Sequence, residues 1–583
     1  MKKLLLIIFV LGVLPTLFAQ DELKRADTYF ERTFYSDAIP LYEQLLPRNK
    51  SSKLIKNLAD SYYHTFNMKA AARWYTYLAA NYGDKVGEDY QFKLYQSLKA
   101  TGAYDEAHQV LLDFYTQQNQ NDKVDQLNNA LVYLENVSAI GPRFDIENLL
   151  INTPNSEFGA AVLDSNLVYT ATRKNSGKIY RWNNLNYLDI YSHPLPKLAM
   201  GDSLSVPFSK TVNTKMHEGS FAITNDRKTL YFTRNGTKRT DSEKIKNLKI
   251  YKAEWGEDDW DNIVELPFNS DVFSTEHPVL NSDESRLYFA SDREGGFGSF
   301  DLYYVDIQSD ERYGNPINLG KEINTDKKEQ FPFLDDQDNL YFASNGHPGY
   351  GLLDIFLTKY QNGSYEKPDN LGLPINSGYD DFSMWLYPNG KTGFFASNRP
   401  GGKGNDDIYA FTETKPLLIE DCNQFIVGIV TDKSTQMPIA EGKIQLVDAE
   451  GTLISDLMTG RDGSFKFDIA CTSSYKINGS KAGYEDNSKA ILSSKERNMT
   501  HDGSLALFSL QEKENQRLAV EEKQKNARLL QEQKAQETQL IAETKAKEEA
   551  KKQRDEKIKD VIQKEEAIVR EKERTIIQTE EIH

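Results

Sequence analysis

Between Glu157 and Ala410 one pattern comes round five times, and its spacing restricts the fold of this chain more than any other feature. The three clearest copies read Leu287-Tyr288-Phe289-Ala290-Ser291, Leu340-Tyr341-Phe342-Ala343-Ser344 and Gly393-Phe394-Phe395-Ala396-Ser397, and two weaker ones sit at Leu167–Ala171 and Leu230–Arg234. Each clear copy leads into a Gly-rich turn and then an aspartate that opens a second strand, at Asp301, Asp354 and Asp407. A single unit of this length cannot bury both faces of its own sheet and must stack on its neighbours. Short aromatic and β-branched runs separated by turns predict a five-bladed β-propeller across 143–420, with a sixth, degenerate blade assembled from both ends as the alternative. Pro416–Ile419 is a candidate closing strand, paired with the segment before Glu157.

Upstream, the pattern is helical over 20–140. Ala26, Ala38, Tyr42 and Leu45 return 33 residues later as Ala59, Ala71, Tyr75 and Leu78, and a looser third copy places Ala107, Leu111 and Phe114. Small residues where two helices cross and aromatics where the next pair packs resemble the tetratricopeptide repeat. Its concave face commonly holds a peptide or helix; here it is also a candidate to dock on the propeller.

Downstream, 421–510 reads as a small β-sandwich with strands at Phe425–Val430, Gly442–Val447 and Ser464–Ile469. Cys422 and Cys471, the only cysteines, bracket this domain, and a bridge between them is expected to add about 2 to 4 kcal/mol. From 511 to 583 Gly and Pro vanish and Glu, Lys, Gln, Arg and Ala dominate. This predicts a charged helix of about 110 Å, solvated or joined as a coiled coil.

The first residues read Met1-Lys2-Lys3, an apolar run from Leu4 to Phe18, then Ala19-Gln20. That is the pattern of a signal peptide over 1–19, shorter than the ~20 residues of a membrane span. Export also permits the disulfide. A net charge of −17 argues against nucleic acid or anionic lipid as the main partner, because either needs a basic face.

Signatures of catalysis are missing from the sequence. There is no Gly-x-Ser-x-Gly elbow, no His-Glu-x-x-His and no phosphate-cradling Gly-Lys loop, so no catalytic residue, cofactor or metal site is assigned. One constellation remains. Counting back from the aromatic marker of each repeat gives Glu157, Glu218, Glu276, Glu329 and Asp381. These five are a candidate axial acidic ring for a cation or basic peptide; alternatively each carboxylate accepts backbone N–H groups in a turn between blades. Asp301, Asp354 and Asp407 read as strand-entry caps rather than calcium ligands. Trp255 and Trp260 mark a candidate contact loop, or a cover for the blade beneath them.

The domain order resembles a family of exported Bacteroidota proteins with tetratricopeptide repeats, a TolB-type (WD40-like) propeller and a carboxypeptidase-regulatory-like sandwich. The phrase Ala290-Ser291-Asp292-Arg293 with Gly295-Gly296 and Asp301-Leu302-Tyr303 carries the propeller likeness. Gly428–Asp432, Pro438-Ile439 and Asp462–Phe465 carry the sandwich. Relatives of this kind end in an OmpA-like domain that grips peptidoglycan and associate with type 9 secretion or gliding machinery at the outer membrane. The charged helix stands in place of that domain, which puts direct peptidoglycan binding in doubt. The resemblance implies a non-enzymatic periplasmic scaffold for outer-membrane or secretion proteins, without a membrane span in the mature chain. The alternative is a sensor that binds a cation or basic peptide at the propeller's axial mouth and signals through the C-terminal helix.

Overall fold

The computed structural model describes residues 21–83, 86–173, 179–238, 246–308, 312–419, 422–471, 473–494 and 496–580, so the leader expected at 1–19 lies outside the described residues. The chain is multidomain, with an N-terminal helical region and a large β-rich region, and it divides into two compact units, Met1–Glu420 and Asp421–His583.

Helix α1 covers 21–31. It is followed by α2 (Tyr35–Leu45), α3 (Ser52–His64), α4 (Met68–Tyr82), α5 (Glu88–Ala100), α6 (Tyr104–Gln117) and α7 (Asn121–Ala139). The residues spaced by the repeat period meet in one core: Ala26, Ala38, Tyr42, Leu45, Ala59, Ala71, Tyr75 and Leu78 are all buried together. Alanine at the crossings lets backbones approach, and the tyrosines fill the space between pairs. Each tyrosine also satisfies its hydroxyl at a repeat-matched acid, Tyr42 donating to Asp27 Oδ1 at 2.8 Å and Tyr75 to Asp60 Oδ1 at 2.6 Å. The period therefore carries a buried polar pair as well as an apolar one.

Among the described residues of 143–420 there are five four-stranded antiparallel sheets. Sheet I begins with Glu157–Leu163, sheet II with Glu218–Ile223, sheet III with Thr275–Leu280, sheet IV with Glu329–Leu334 and sheet V with Asp381–Leu386. These first strands touch in order I to II, II to III, III to IV, IV to V and V to I, so the contacts close a cycle. All five carry a bulge with one residue in the left-handed region: Gly159, Ser220, His277, Phe331 and Ser383. A bulge sharpens local twist, and here it recurs at the same level of every sheet.

The fourth strand of sheet V is Phe144–Asn148, paired antiparallel with Asp407–Glu413 from Phe144↔Glu413 to Asn148↔Tyr409. This corrects two expectations. The segment Pro416–Ile419 is not a strand, and the two chain ends complete the fifth sheet instead of building a sixth. Proline at 416 has no N–H to give a ladder, whereas Phe144 and Ile146 alternate with polar residues and bury against the neighbouring cluster. Arg143 locks the junction: its guanidinium is buried, pairs with Glu413, and donates from Nη1 to Leu371 O at 3.0 Å and from Nε to Lys415 O at 3.2 Å.

The Gly-rich turns have a steric reason. A Cβ on Gly349 or Gly402 would sit 1.9 or 2.1 Å from the carboxylate of Asp354 or Asp407, which the turn backbone wraps. Helices and sheets share one unit through contacts such as Lys99 Nζ to Gly349 O at 2.7 Å, Trp182 Nε1 to His64 O at 3.1 Å and Tyr350 OH to Leu134 O at 3.1 Å. Met68, Ala100 and Leu352 bury together at the same junction.

In the second unit two sheets enclose Ile426, Val430, Ile444, Leu446, Phe465, Phe467, Ile477 and Leu507. Strand Asn423–Asp432 shows the alternation of a half-buried strand, with Gln424, Ile426, Gly428, Val430 and Asp432 inward. Cys422 and Cys471 form a disulfide with Cα atoms 5.6 Å apart, at the ends of the paired strands Asn423–Asp432 and Ser464–Ala470. Helix α8 then runs unbroken from Leu510 to Glu580, and its described side chains are exposed except for the half-buried Glu512.

Candidate functional site

Four of the five candidate carboxylates occupy one equivalent place, the first residue of the first strand in sheets I, II, IV and V. All four are fully buried. Each clips the preceding turn. Glu157 accepts from Thr153 N at 2.9 Å and Thr153 Oγ1 at 2.7 Å; Glu218 accepts from Thr214 N at 3.1 Å and its hydroxyl at 2.5 Å. Glu329 does the same with Thr325 at 2.9 and 2.8 Å, and Asp381 with Ser377 at 2.5 and 2.8 Å. The hydroxyl in turn accepts the N–H two residues on, at Asn155, Met216, Lys327 and Tyr379. A Thr or Ser four residues before a carboxylate thus ties a tight turn to a strand start.

Cations complete three of the clips. Arg234 Nε reaches Glu218 at 2.8 Å, Arg399 Nη2 reaches Asp381 at 2.5 Å and Arg173 Nη2 stands 3.6 Å from Glu157. Sheet IV has no arginine there and uses Ser344 Oγ at 2.7 Å from Glu329. Burial dominates the electrostatics, pushing Glu157 and Glu329 up to about 7 against the pull of their hydrogen bonds.

Glu276 breaks the set. Strand pairing aligns Thr275 with Ser291, just as Glu329 aligns with Ser344 and Asp381 with Ser397, so the ring position of sheet III is Thr275. Glu276 falls one residue later and faces the other way. Its Oε1 accepts from Gln330 Nε2 of sheet IV, and burial pushes it up to about 7. The five candidates therefore do not form one ring: four share a level and the fifth belongs to the next.

That next level and the bulge residues after it fill the space between the first strands. Phe158, Phe331 and Phe382 pack with ring centroids 4.6 to 6.2 Å apart, and His277 stacks on Phe331 at 3.7 Å. Burial drives His277 down to about 3, so the imidazole is neutral there. The space left among the five first strands is about 70 Å³, far below the size at which ligand pockets begin, about 300 Å³.

Asp301 and Asp407 accept two turn N–H groups each, from Phe297 and Gly298 and from Lys403 and Gly404, and Asp354 accepts from Tyr350 and Gly351. Among the described residues no group of three or more acids, histidines or cysteines is placed to hold a metal ion, and no helix is long and apolar enough to cross a membrane. Trp255 and Trp260 end a hairpin and meet edge to face at 5.2 Å; Trp260 is buried beneath the sheet's own cluster and Trp255 is half exposed. Sequence reasoning missed Thr153, Thr214, Thr325, Ser377 and the partner arginines. The signal was present, since a hydroxyl residue stands four positions before each true ring carboxylate.

No family model matches the chain, and no curated protein matches it. Solved structures similar to it include a TolB from Agrobacterium tumefaciens described as putative, at 14% identity and a TM-score of 0.28, covering 56% of this chain and 97% of that one. They also include a puromycin hydrolase (12%, TM-score 0.27, 56% of this chain and 44% of that one) and a thermostable family-43 glycoside hydrolase (13%, TM-score 0.31, 45% and 94%). Likeness at this level places no residue and assigns no activity.

Proposed function

We propose that the chain is a non-enzymatic periplasmic scaffold that binds partner proteins of an outer-membrane or type 9 secretion assembly, in the manner of the exported Bacteroidota proteins it resembles. The reading takes the five cyclic sheets as the blades of a TolB-type propeller and helices α1 to α7 as a tetratricopeptide-type solenoid seated on it. The observation that carries it is the fate of the carboxylates: Glu157, Glu218, Glu329 and Asp381 are buried and committed to turns, which supports a rigid platform over a reacting centre. The helical repeats fuse to that platform and add a second binding surface. An axial-mouth sensor has less to stand on, because the carboxylates meant to recognise its ligand face the turns and three phenylalanines fill the hub.

Crosslinking in intact cells followed by mass spectrometry is the test. Outer-membrane or secretion proteins linked to residues of α1 to α7 or the sheets are the expected catch; recovery of peptidoglycan fragments alone ends the scaffold reading. The hydrolases among similar structures set a second check, since turnover of a peptide or glycoside by the purified chain would reverse the non-enzymatic assignment.

A further inference from the structure

Where helices α5, α6 and α7 face the loops of sheet IV, they leave a cleft of about 450 Å³, within the range of small-ligand sites, about 300 to 1,000 Å³. Its charge opposes that of the chain. Lys99, Lys123, Lys327 and Lys367 line it against two carboxylates, Glu88 and Asp326, in a protein of net charge −17. Each lysine lies over a ring: Lys99 Nζ is 4.6 Å from the Tyr95 centroid, Lys327 4.8 Å from Phe92, Lys123 5.1 Å from Tyr115 and Lys367 5.9 Å from Tyr133. The rings hold the ammonium groups through their faces, and an ammonium with three donors retains hydrogen-bonding capacity after one bond within the protein. Lys99 uses one on Gly349 O, Lys123 one on Glu88, and Lys327 pairs with Asp326 at 3.0 Å. Leu111 and Leu127 add aliphatic wall.

One more group narrows the ligand. Among the described residues, Asn345 Oδ1 is buried and accepts no hydrogen bond, and Asn345 lines this cleft. A buried acceptor without a donor is costly, and because Asn345 as a residue is only half-buried, turning its amide toward a ligand N–H in the cleft would relieve it. A carboxylate for the lysines, an adjacent N–H for Asn345 and an apolar side chain for the rings are together what the last residues of a peptide chain offer. A phosphate or sulfate offers no apolar group to the rings and leucines that line the cleft.

We propose that this cleft binds the free carboxyl terminus of a partner polypeptide. Half of its lysines come from the helices and half from sheet IV loops, so neither region makes the site alone. The proposal deepens the scaffold reading and rests on it, by naming which part of a partner is held.

The test uses the whole mature chain and fluorescence anisotropy with N-terminally labelled hexapeptide pools, randomised at the last three positions and made both as free acids and as amides. At least one free-acid pool is expected to bind with a Kd below about 1 mM, its amide at least about tenfold more weakly. Lys327→Gln with Lys367→Gln, both on loops, should weaken the acid at least about tenfold and leave the amide and the circular dichroism unchanged. Equal binding of acid and amide, no pool binding below about 1 mM, or an acid preference that survives the double substitution each overturns the proposal. Those results leave cell crosslinks to other faces standing, so the cleft and the scaffold fail separately.

Discussion

The five-sheet region and the sandwich solve the same problem, fixing turns to strand ends, by different chemistry. In the sheets a buried carboxylate clips each turn through a hydroxyl and a backbone N–H, four times over, with Thr275 replacing the acid in sheet III. In the sandwich the inward residues are largely apolar, and a covalent bridge holds the ends of its two longest paired strands. The difference follows from shape. A cycle of five sheets brings many strand starts to one place, where each buried turn needs its backbone groups satisfied, whereas an open two-sheet stack leaves most turns in water.

If the comparison is right, the largest loss comes from the buried polar element that closes the cycle. Arg143→Ala strips Glu413 of its partner and frees two carbonyls, and should cost the first unit about 3 to 5 kcal/mol in urea unfolding while leaving the second unit's transition in place. A cost below about 1 kcal/mol would mean that the closing strand is held by packing alone. Next comes the covalent element. Cys422→Ser with Cys471→Ser should lower the stability of the second unit by about 2 to 4 kcal/mol, and a matching change in the first unit would show that the two are not separate folding units.

The effect that is smallest at any one pH step reads the clip itself. Glu329 ordinarily titrates at 4.5 and burial raises it to about 7 in the fold, so the folded chain holds a proton that the unfolded chain has released between those values. Its stabilising contribution is therefore full below 4.5 and lost as pH rises through about 7. Glu329→Gln should flatten the fall in the first unit's stability across that window by at most about 1.4 kcal/mol per pH unit. An unchanged slope would show that the carboxylate keeps its usual affinity for protons despite its burial.

Much of this was legible in the residues. Helical pairing at 33-residue spacing, the five-fold strand pattern, the aspartate caps at Asp301, Asp354 and Asp407, and the cysteine pair could be read because each depends on a local period or on a count. The acidic ring was only partly legible. The distance from the ring position to the central aromatic of the second strand varies from 12 to 14 residues, so a count of 13 from Phe289 lands on Glu276 where pairing places Thr275, 14 back. With a side-chain period of two, that single residue moves the acid from the turn to the hub. Trp255 and Trp260 were equally ambiguous, since adjacency in a hairpin does not say which ring lies inward.

By itself, the sequence determined the kinds of element and their order, because helix and strand periods, turn glycines and proline act over a few residues. Only the tertiary structure decided that Phe144 meets Glu413, that Lys99 meets Gly349 and that the hub is filled by phenylalanine. Those pairings join residues hundreds apart, and their free energy comes from burying particular surfaces against one another, which no local period encodes.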